Sequence, residues 1–315
     1  MRASVIVVNL NGEPFIYDCL DALQKQSFSD FEVVIVDNGS KDNSCAQIRA
    51  RFPEMRLIEL KQNQGFASAC SIGLREARGE EILVLNNDAI PDRDWLKALL
   101  FALDKDERIG MVASRVINKK HQKLESAGIY PARNGLVYLS KPKHPEAEQE
   151  IFGACGVAGL YRGRMIKELG FYPEDFFIYY EDADLAYRAQ RTGWKAVYCP
   201  SSIVYHLGSE TTEKLGIKDY YLARNRLRSI IRNWELNLII KNLPWLLAYE
   251  LASFLGGLIN APQSAMKARI DFLKLLTSDF KFRRDNFKRS VFGFDLEKWL
   301  SKDYPGIIKL WKERR

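Results

Sequence analysis

The stretch ILVLNNDAI, residues 82–90, sets four apolar residues against Asn86, Asn87 and Asp88. A short apolar run cut off by polar residues is the pattern of a strand buried on both faces that ends where the chain meets solvent or a ligand. Three further segments share it. Val5–Val8 runs into Asn9-Leu10-Asn11-Gly12, FEVVIVD (31–37) is followed by Asn38-Gly39-Ser40, and MRLIEL (55–60) precedes NQGFA (63–67). Helical spacing fills the intervals. Ile16, Cys19, Leu20 and Leu23 recur to about Gln26, Asp42 can cap a helix through Ile48 toward Phe52, a third helix follows NQGFA, and a fourth covers 94–104. Apolar strands alternating with helices predict an α/β fold with a mostly parallel sheet flanked on both faces.

In such a sheet ligands bind beyond the carboxyl ends of the strands. Asn9-Leu10-Asn11-Gly12, Asp37-Asn38-Gly39-Ser40 and Asn86-Asn87-Asp88 all fall at that edge, which makes a site there the expectation. Each cluster alone is equally readable as turn and cap chemistry.

Length and composition set bounds. A chain of 315 residues, 47% of them hydrophobic, can bury one large core or a domain with an appendage. Cys19, Cys45, Cys70, Cys155 and Cys199 form no Cys-x-x-Cys pair and read as buried thiols of a reducing compartment. The first apolar stretch is too short for a signal peptide, so the expectation is that the translated and mature chains coincide. Charge is uneven: from Arg224 onward there are 19 Lys/Arg against 9 Asp/Glu, whereas the preceding part has 28 against 31. A mildly acidic body with a basic tail points to a tail that meets an anionic surface.

Taken in order, VVNLNG, VDNGSKDNS, NQGFASACSIG, LVLNNDAIPD and FFIYYEDADLAYRAQRTGWKAVYCPSSIVYHLGS (176–209) resemble the family 2 glycosyltransferases of the GT-A (Rossmann-like) fold, in their rhamnosyltransferase-like branch. The resemblance spans roughly residues 4–210. It implies that Asp88 is the metal-binding carboxylate ending an Asp-x-Asp motif, with Asn86 in place of the first acid and Asn87 in the variable middle position. Asn86 would then contact sugar or ribose hydroxyls, or order a metal-bound water. The implied cofactor is a divalent cation, Mn2+ or Mg2+, bridging the diphosphate of a nucleotide-sugar; such hard ions favour oxygen ligands. His206, after the apolar run 202–205, matches the family's second metal ligand.

The same resemblance gives Asp37 a hydrogen bond from a uracil or thymine ring N–H and places Asn11 and the backbone at Asn9 against the nucleotide. Leu10 replaces a common aromatic. Gly65 and Phe66, before a helix rich in small residues, are assigned to the donor pocket, since free N–H groups at a helix start favour anions; packing is the alternative for Phe66. In Glu181-Asp182-Ala183-Asp184, Asp182 is the implied catalytic base, Glu181 the second choice, and Asp184 a structural partner of Arg188 one turn on. Neighbouring carboxylates would raise the base's pKa by repulsion. Gly153, Ala154 and Cys155 read as a small-residue strand, and Tyr172-Pro173-Glu174 stands where the family has Phe-Asp-Glu.

Residues 1–212 are thus expected to form the catalytic domain and 213–315 a helical, amphipathic, basic extension. DYYLARNRLRSIIRNW (219–234) reads as a basic helix with Tyr221, Leu222, Leu227, Ile230 and Ile231 as its apolar members. LPWLLAYELASFLGGLINAP (243–262) is long and apolar but interrupted by Glu250 and Gly256-Gly257, which favours a helix hairpin in the membrane interface over a spanning helix. Basic residues with interleaved phenylalanines from Lys267 to Arg289 suit anionic headgroups. Packing on the catalytic domain, or on a second copy in a homo-oligomer, is the alternative.

The resulting expectation is an inverting transferase, cytoplasmic and peripheral on the inner face of a membrane. It would move a sugar, rhamnose first among candidates, from a dTDP- or UDP-sugar to a lipid-linked or polysaccharide acceptor. The rivals are a catalytically inactive nucleotide-sugar-binding scaffold and, less favoured because no nucleic-acid motif accompanies the basic tail, a nucleic-acid-binding protein.

Overall fold

The computed structural model describes residues 1–208 and 216–300. In chain order the first elements are β1 (Ala3–Asn9), α1 (Ile16–Gln24), β2 (Phe31–Asp37), α2 (Ser44–Arg51), β3 (Arg56–Glu59), α3 (Phe66–Glu76), β4 (Glu81–Asn86), β5 (Ala89–Pro91) and α4 (Trp95–Leu103). Then come β6 (Ile109–Asn118), β7 (Lys123–Ser126), β8 (Ile129–Pro131), β9 (Val137–Leu139), β10 (Gln149–Ile151), β11 (Ala158–Tyr161), α5 (Gly163–Leu169), α6 (Glu181–Arg191) and β12 (Lys195–His206). Three helices follow: α7 (Lys218–Asn233), α8 (Leu236–Asn260) and α9 (Pro262–Phe287).

The main sheet runs β10-β12-β6-β11-β4-β1-β2-β3, with β5 on β12 and β7 on β6. Strands β3, β2, β1 and β4 are mutually parallel, as are β6 and β12; β11 is antiparallel to both its neighbours. The wholly apolar strands drive this arrangement. Val5, Val7, Ile35, Leu83 and Leu85 are buried against Leu20 and Leu23 of α1 and Trp95 and Leu99 of α4. Register fixes the edge: Asn9 lies opposite Asp37, and Val8 opposite Asn86, so three strand ends finish level.

Cα packing divides the chain into two units, Met1–Ile129 with Leu139–Ser209, and Tyr130–Tyr138 with Glu210–Arg315. The boundary expected at 212/213 lies outside the described residues.

Several expectations need correction. Cys45 is only half-buried, unlike the other four cysteines. Gly153–Cys155 lie outside any strand, with a single bridge from Gly153 to Ile129, and the strand begins at Ala158. The burial of α7 is the reverse of its hydropathy: of the five apolar residues named for it, only Ile230 is buried, while Arg224, Arg226, Arg228 and Arg232 are. Buried arginines need partners, and they have them. Arg228 makes a bidentate pair with Asp279 (Nε to Oδ2 2.9 Å, Nη2 to Oδ1 2.8 Å), and Arg226 pairs with Glu250 and donates to the Asn134 carbonyl.

Neither Glu250 nor Gly256-Gly257 interrupts α8, which is continuous for 25 residues with Pro244 inside it. The hairpin forms instead between α8 and α9, turning at Ala261, where Gly257 lets Ala265 approach; a Cβ there would lie 2.9 Å from the Ala265 Cβ. Glu250 bridges Arg226 and Arg269 (Nε to Oε1 2.8 Å). By length and composition α8 is apolar enough to cross a membrane, and it buries little of its surface. Leu236, Ile240, Leu243, Leu247, Leu251 and Leu255 recur every three or four residues along it, each exposed, and Met266, Ile270 and Leu273 do the same on α9, with exposed Phe280 two turns further on.

Candidate active site

The β1 and β2 ends are knitted to each other through their side chains. Asn9, fully buried, donates from Nδ2 to Asp37 Oδ1 (2.8 Å) and Ser44 Oγ (2.9 Å), and its Oδ1 accepts from Asn87 Nδ2 (2.9 Å). Asp37 also accepts from Ser40 Oγ, Ser40 N and Gly39 N. Four donors therefore fill the lone-pair directions of the Asp37 carboxylate. Asp37 therefore fills the turn role, and the side chains of Asn9 and Asn87 join it in holding the loop. Gly12 is required here, because a Cβ would overlap Asn9 Oδ1 and Asn87 Nδ2. Asn11, in the left-handed region at φ 51°, remains at the exposed rim, its Oδ1 accepting from Lys41 N. Asn86 closes β4, its N–H donating to the Val157 carbonyl at 2.9 Å.

Asp88, just past β4, is buried, and its Oδ1 lies 3.3 Å from His206 Nε2. Pairing of β5 with the end of β12 brings them together, since His206 is opposite Ala89. On the other ring nitrogen, His206 Nδ1 lies 2.9 Å from Glu125 Oε1. Burial works to lower the His206 pKa, but the hydrogen bonds and charges of Asp88 and Glu125 prevail and push it up to about 10. Glu125 is itself held below the ordinary range: burial would raise it, and His206 and Asn118 outweigh that. Among the described residues no group of three or more His, Cys, Asp or Glu forms a ready-made cage. The Asp88–His206 pair nevertheless fits one octahedral cation, whose adjacent ligands stand about 3.0 Å apart for bonds of about 2.1 Å. Two protein ligands leave positions for phosphate oxygens and water, the usual arrangement for such ions.

On the far side of Gly156, α6 opens with Glu181 and Asp182 at its N-terminus, as expected. Its entry is strained: Phe177, Tyr179 and Tyr180 all have φ near +70°, each costing about 1–2 kcal/mol. Such outliers cluster where a loop aims functional groups. The loop is clamped from behind, because Arg188 Nε pairs with Asp184 Oδ2 (2.9 Å) while its other nitrogens donate to the carbonyls of Leu169, Gly170 and Phe171. Asp184 is thus the structural acid.

The two candidate bases differ in environment. Asp182 is half-buried; its Oδ2 accepts from Gly156 N (3.0 Å) and its Oδ1 from Ala183 N (2.7 Å). Burial raises its pKa, and these two N–H groups restrain the rise. Glu181 is 5% exposed, and its Oε2 has no hydrogen-bond partner. Burial, then the neighbouring Asp182 charge, pushes its pKa well above the carboxylate range. Environment therefore separates the two: Asp182 is partly exposed and accepts two N–H groups, whereas Glu181 is buried with its pKa driven upward.

Gly156 and Val157 tie the two halves together, since Gly156 N holds Asp182 while the Val157 carbonyl holds Asn86. A Cβ on Gly156 would lie 3.6 Å from Phe66, 3.7 Å from Asp182 Oδ2 and 3.8 Å from Tyr172 Oη. Phe66 therefore stands beside the candidate base, tilted against Tyr172 at 6.4 Å between centroids. At the α3 start, where an anion site is expected, two N–H groups are paired within the protein. Ala67 N donates to the Phe177 carbonyl (3.0 Å) and Gly65 N to Asn63 Oδ1 (2.9 Å), so these N–H groups are engaged within the protein. Gly65 sits at φ +90° against Phe177, a position only glycine fills without strain. The residue that sequence reasoning missed is Glu125; nothing in KLES (123–126) distinguishes it from a surface glutamate.

A mostly parallel sheet whose strands end level in polar loops, with an acid–histidine pair at that edge, has the architecture of the GT-A fold. Solved structures share the architecture. The mannosyltransferase PcManGT from Pyrobaculum calidifontis in complex with GDP-Man and Mn2+ superposes with a TM-score of 0.57 at 21% identity, over 91% of this chain and 85% of that one. S. aureus TarS 1-349 in complex with UDP gives 0.57 at 20% identity, over 91% and 89%. The family model described as "Glycosyl transferase family 2" matches residues 4–170. The chain belongs to that family. Among curated relatives, the N-acetylglucosaminyl-diphospho-decaprenol L-rhamnosyltransferase of Mycobacterium tuberculosis (strain CDC 1551 / Oshkosh) is 26% identical over 239 residues, 66% of this chain and 76% of the relative. The poly-beta-1,6-N-acetyl-D-glucosamine synthase of Staphylococcus epidermidis is 24% identical over 222 residues, 66% of this chain and 50% of that protein.

Proposed function

We propose that this family 2 glycosyltransferase is an inverting, divalent-cation-dependent enzyme. It transfers a sugar, rhamnose first among candidates, from a dTDP- or UDP-sugar to a lipid-linked or polysaccharide acceptor. The observation that carries the reading is the single bend, Gly156-Val157, that fastens the Asn86–Asp88 edge to Asp182. A direct displacement needs such opposition, with the leaving diphosphate on one side of the sugar and a base for the attacking hydroxyl on the other. Asp182 takes that proton on the oxygen it turns to the acceptor, while Gly156 N–H and Ala183 N–H fix its orientation. Asp88 and His206 would hold the cation, which when bound neutralises the charge growing on the departing diphosphate. Phe66 and Tyr172 wall the space beside Asp182. The preference for rhamnose and for a lipid-linked acceptor rests on the named mycobacterial relative.

The test is a panel of dTDP-rhamnose, UDP-N-acetylglucosamine, UDP-glucose and GDP-mannose with Mn2+ or Mg2+, following nucleoside diphosphate release. Turnover of a dTDP- or UDP-sugar above the others is expected. Binding of every donor without release would overturn the enzyme reading in favour of the inactive scaffold.

We further propose that α8 and α9 lie in the interface of an anionic membrane. Support comes from the two exposed apolar stripes, from the basic residues Lys267, Lys274, Lys281 and Arg284 on α9, and from Glu250, whose charge is satisfied by arginines and does not face lipid. Full-length protein should co-float with vesicles rich in phosphatidylglycerol and less with phosphatidylcholine alone, and Leu247→Glu with Leu251→Glu should abolish flotation. Flotation unaffected by the double substitution would sink this assignment.

A further inference from the structure

We propose that Glu125 is a positioning residue for the cation site. It fixes the ring of His206 by accepting from Nδ1–H, so that Nε2 is presented beside Asp88. The inference rests on the metal reading of Asp88 and His206 given above and adds to it a residue from a different hairpin.

Three observations carry it. First, the geometry is divided across the imidazole: Glu125 Oε1 is 2.9 Å from Nδ1 and Asp88 Oδ1 is 3.3 Å from Nε2. The two carboxylates therefore occupy opposite sides of the ring, and only one of them shares a side with Nε2. A carboxylate on the distal nitrogen of a ligating histidine sets its tautomer and orientation and raises its basicity. Second, Glu125 occupies its place through an irregularity in the sheet. Strand β7 pairs Ser126 with Val116 and Leu124 with Ile117, so Glu125 is the extra residue of a β-bulge. A bulge turns one side chain out of the regular alternation, and here the residue so turned is the one that meets His206. Third, the carboxylate is secured from behind. Asn118 Nδ2 donates to Glu125 Oε2 at 3.3 Å, and Asn118 is the residue on β6 paired with His206 itself. Lys119 N donates to the His206 carbonyl at 2.8 Å, and Asn118 Oδ1 accepts from His121 N, so the β6–β7 turn grips both the histidine backbone and its ring. A surface glutamate with no such role needs neither the bulge nor the asparagine.

The experiment compares full-length wild type with Glu125→Gln and Glu125→Ala. Binding of Mn2+ alone is measured by the electron paramagnetic resonance signal of the free ion, and the ring nitrogens of His206 are followed by long-range nitrogen–proton NMR, which is tractable with three histidines in the chain. We expect Mn2+ affinity to fall by about 10–100-fold in Glu125→Ala, with the His206 Nδ1 signal displaced and the thermal melting curve retained. Should Glu125→Ala melt early, Glu125→Gln carries the comparison, because it keeps the side-chain volume while removing the charge and turning one acceptor oxygen into a donor. Wild-type Mn2+ affinity and unmoved His206 signals in a folded variant would overturn the role of Glu125 alone. A wild type that takes up no Mn2+ would overturn the metal reading of Asp88 and His206, and this inference with it.

Discussion

Asp182→Asn is expected to lower turnover by about 10²–10⁴-fold, the range for loss of a general base. The amide keeps the shape and can still accept from Gly156 N–H, so the fold and donor affinity should survive while proton abstraction fails. Glu181 cannot take over. Its carboxyl is buried with a pKa driven far upward, and its Oε2 meets no donor that would stabilise a charge. The wild-type pH profile follows from the same environment. Because burial raises the Asp182 pKa, the base is ionised only above a pH higher than an ordinary aspartate requires. Turnover should therefore fall, as pH is lowered, through a limb displaced upward from the usual aspartate range, and that limb should vanish in Asp182→Asn. Initial rates of nucleoside diphosphate release with acceptor present, measured across pH, decide the matter. An asparagine variant with wild-type turnover would remove Asp182 from the mechanism.

Asp88→Asn is the second large effect, with an expected loss of about 10²–10³-fold in kcat/KM, the scale for removing one preorganised charge-stabilising group. Asparagine retains a hydrogen-bond acceptor for His206 Nε2, so the local packing is preserved while the negative charge is removed. Asn86 and Asn87 are the residues before Asp88, so no second carboxylate stands ready in that stretch. Donor turnover titrated with Mn2+ should show the wild type saturating and the variant flat over the same range. Equal activation of both proteins by the ion would show that Asp88 is not a metal ligand.

How far the sequence reached differs between the two halves of the site. Strand and helix periods, with polar residues at each strand end, located the parallel sheet, its functional edge and the α6 N-terminus, because burial of apolar strands leaves little freedom in where such strands go. Motif order nominated Asp88, His206 and Asp182. The same reading assigned ligand contacts to Asp37, Asn87 and the α3 start. In the structure these groups also shape the loops, bonded to one another, to Asn9 or to Phe177 and Asn63. In sequence, an asparagine that holds a loop and one that holds a sugar are the same letter. Helix α7 fails in the other direction: its apolar residues predict the buried face, yet the arginines take it because Asp279 and Glu250 arrive from α9 and α8 to pair with them.

By itself, then, the sequence determined the α/β alternation, the family and the identity of the residues able to ionise, since each depends on local pattern or chemical type. Tertiary structure alone decided which carboxylates are available. Glu125 reaches His206 across 81 positions through a bulge, and Asp182 is set apart from Glu181 by its lesser burial and by the two N–H groups it accepts from. Protonation and ligation depend on distance and dielectric, and neither quantity is fixed until strands remote in sequence lie side by side.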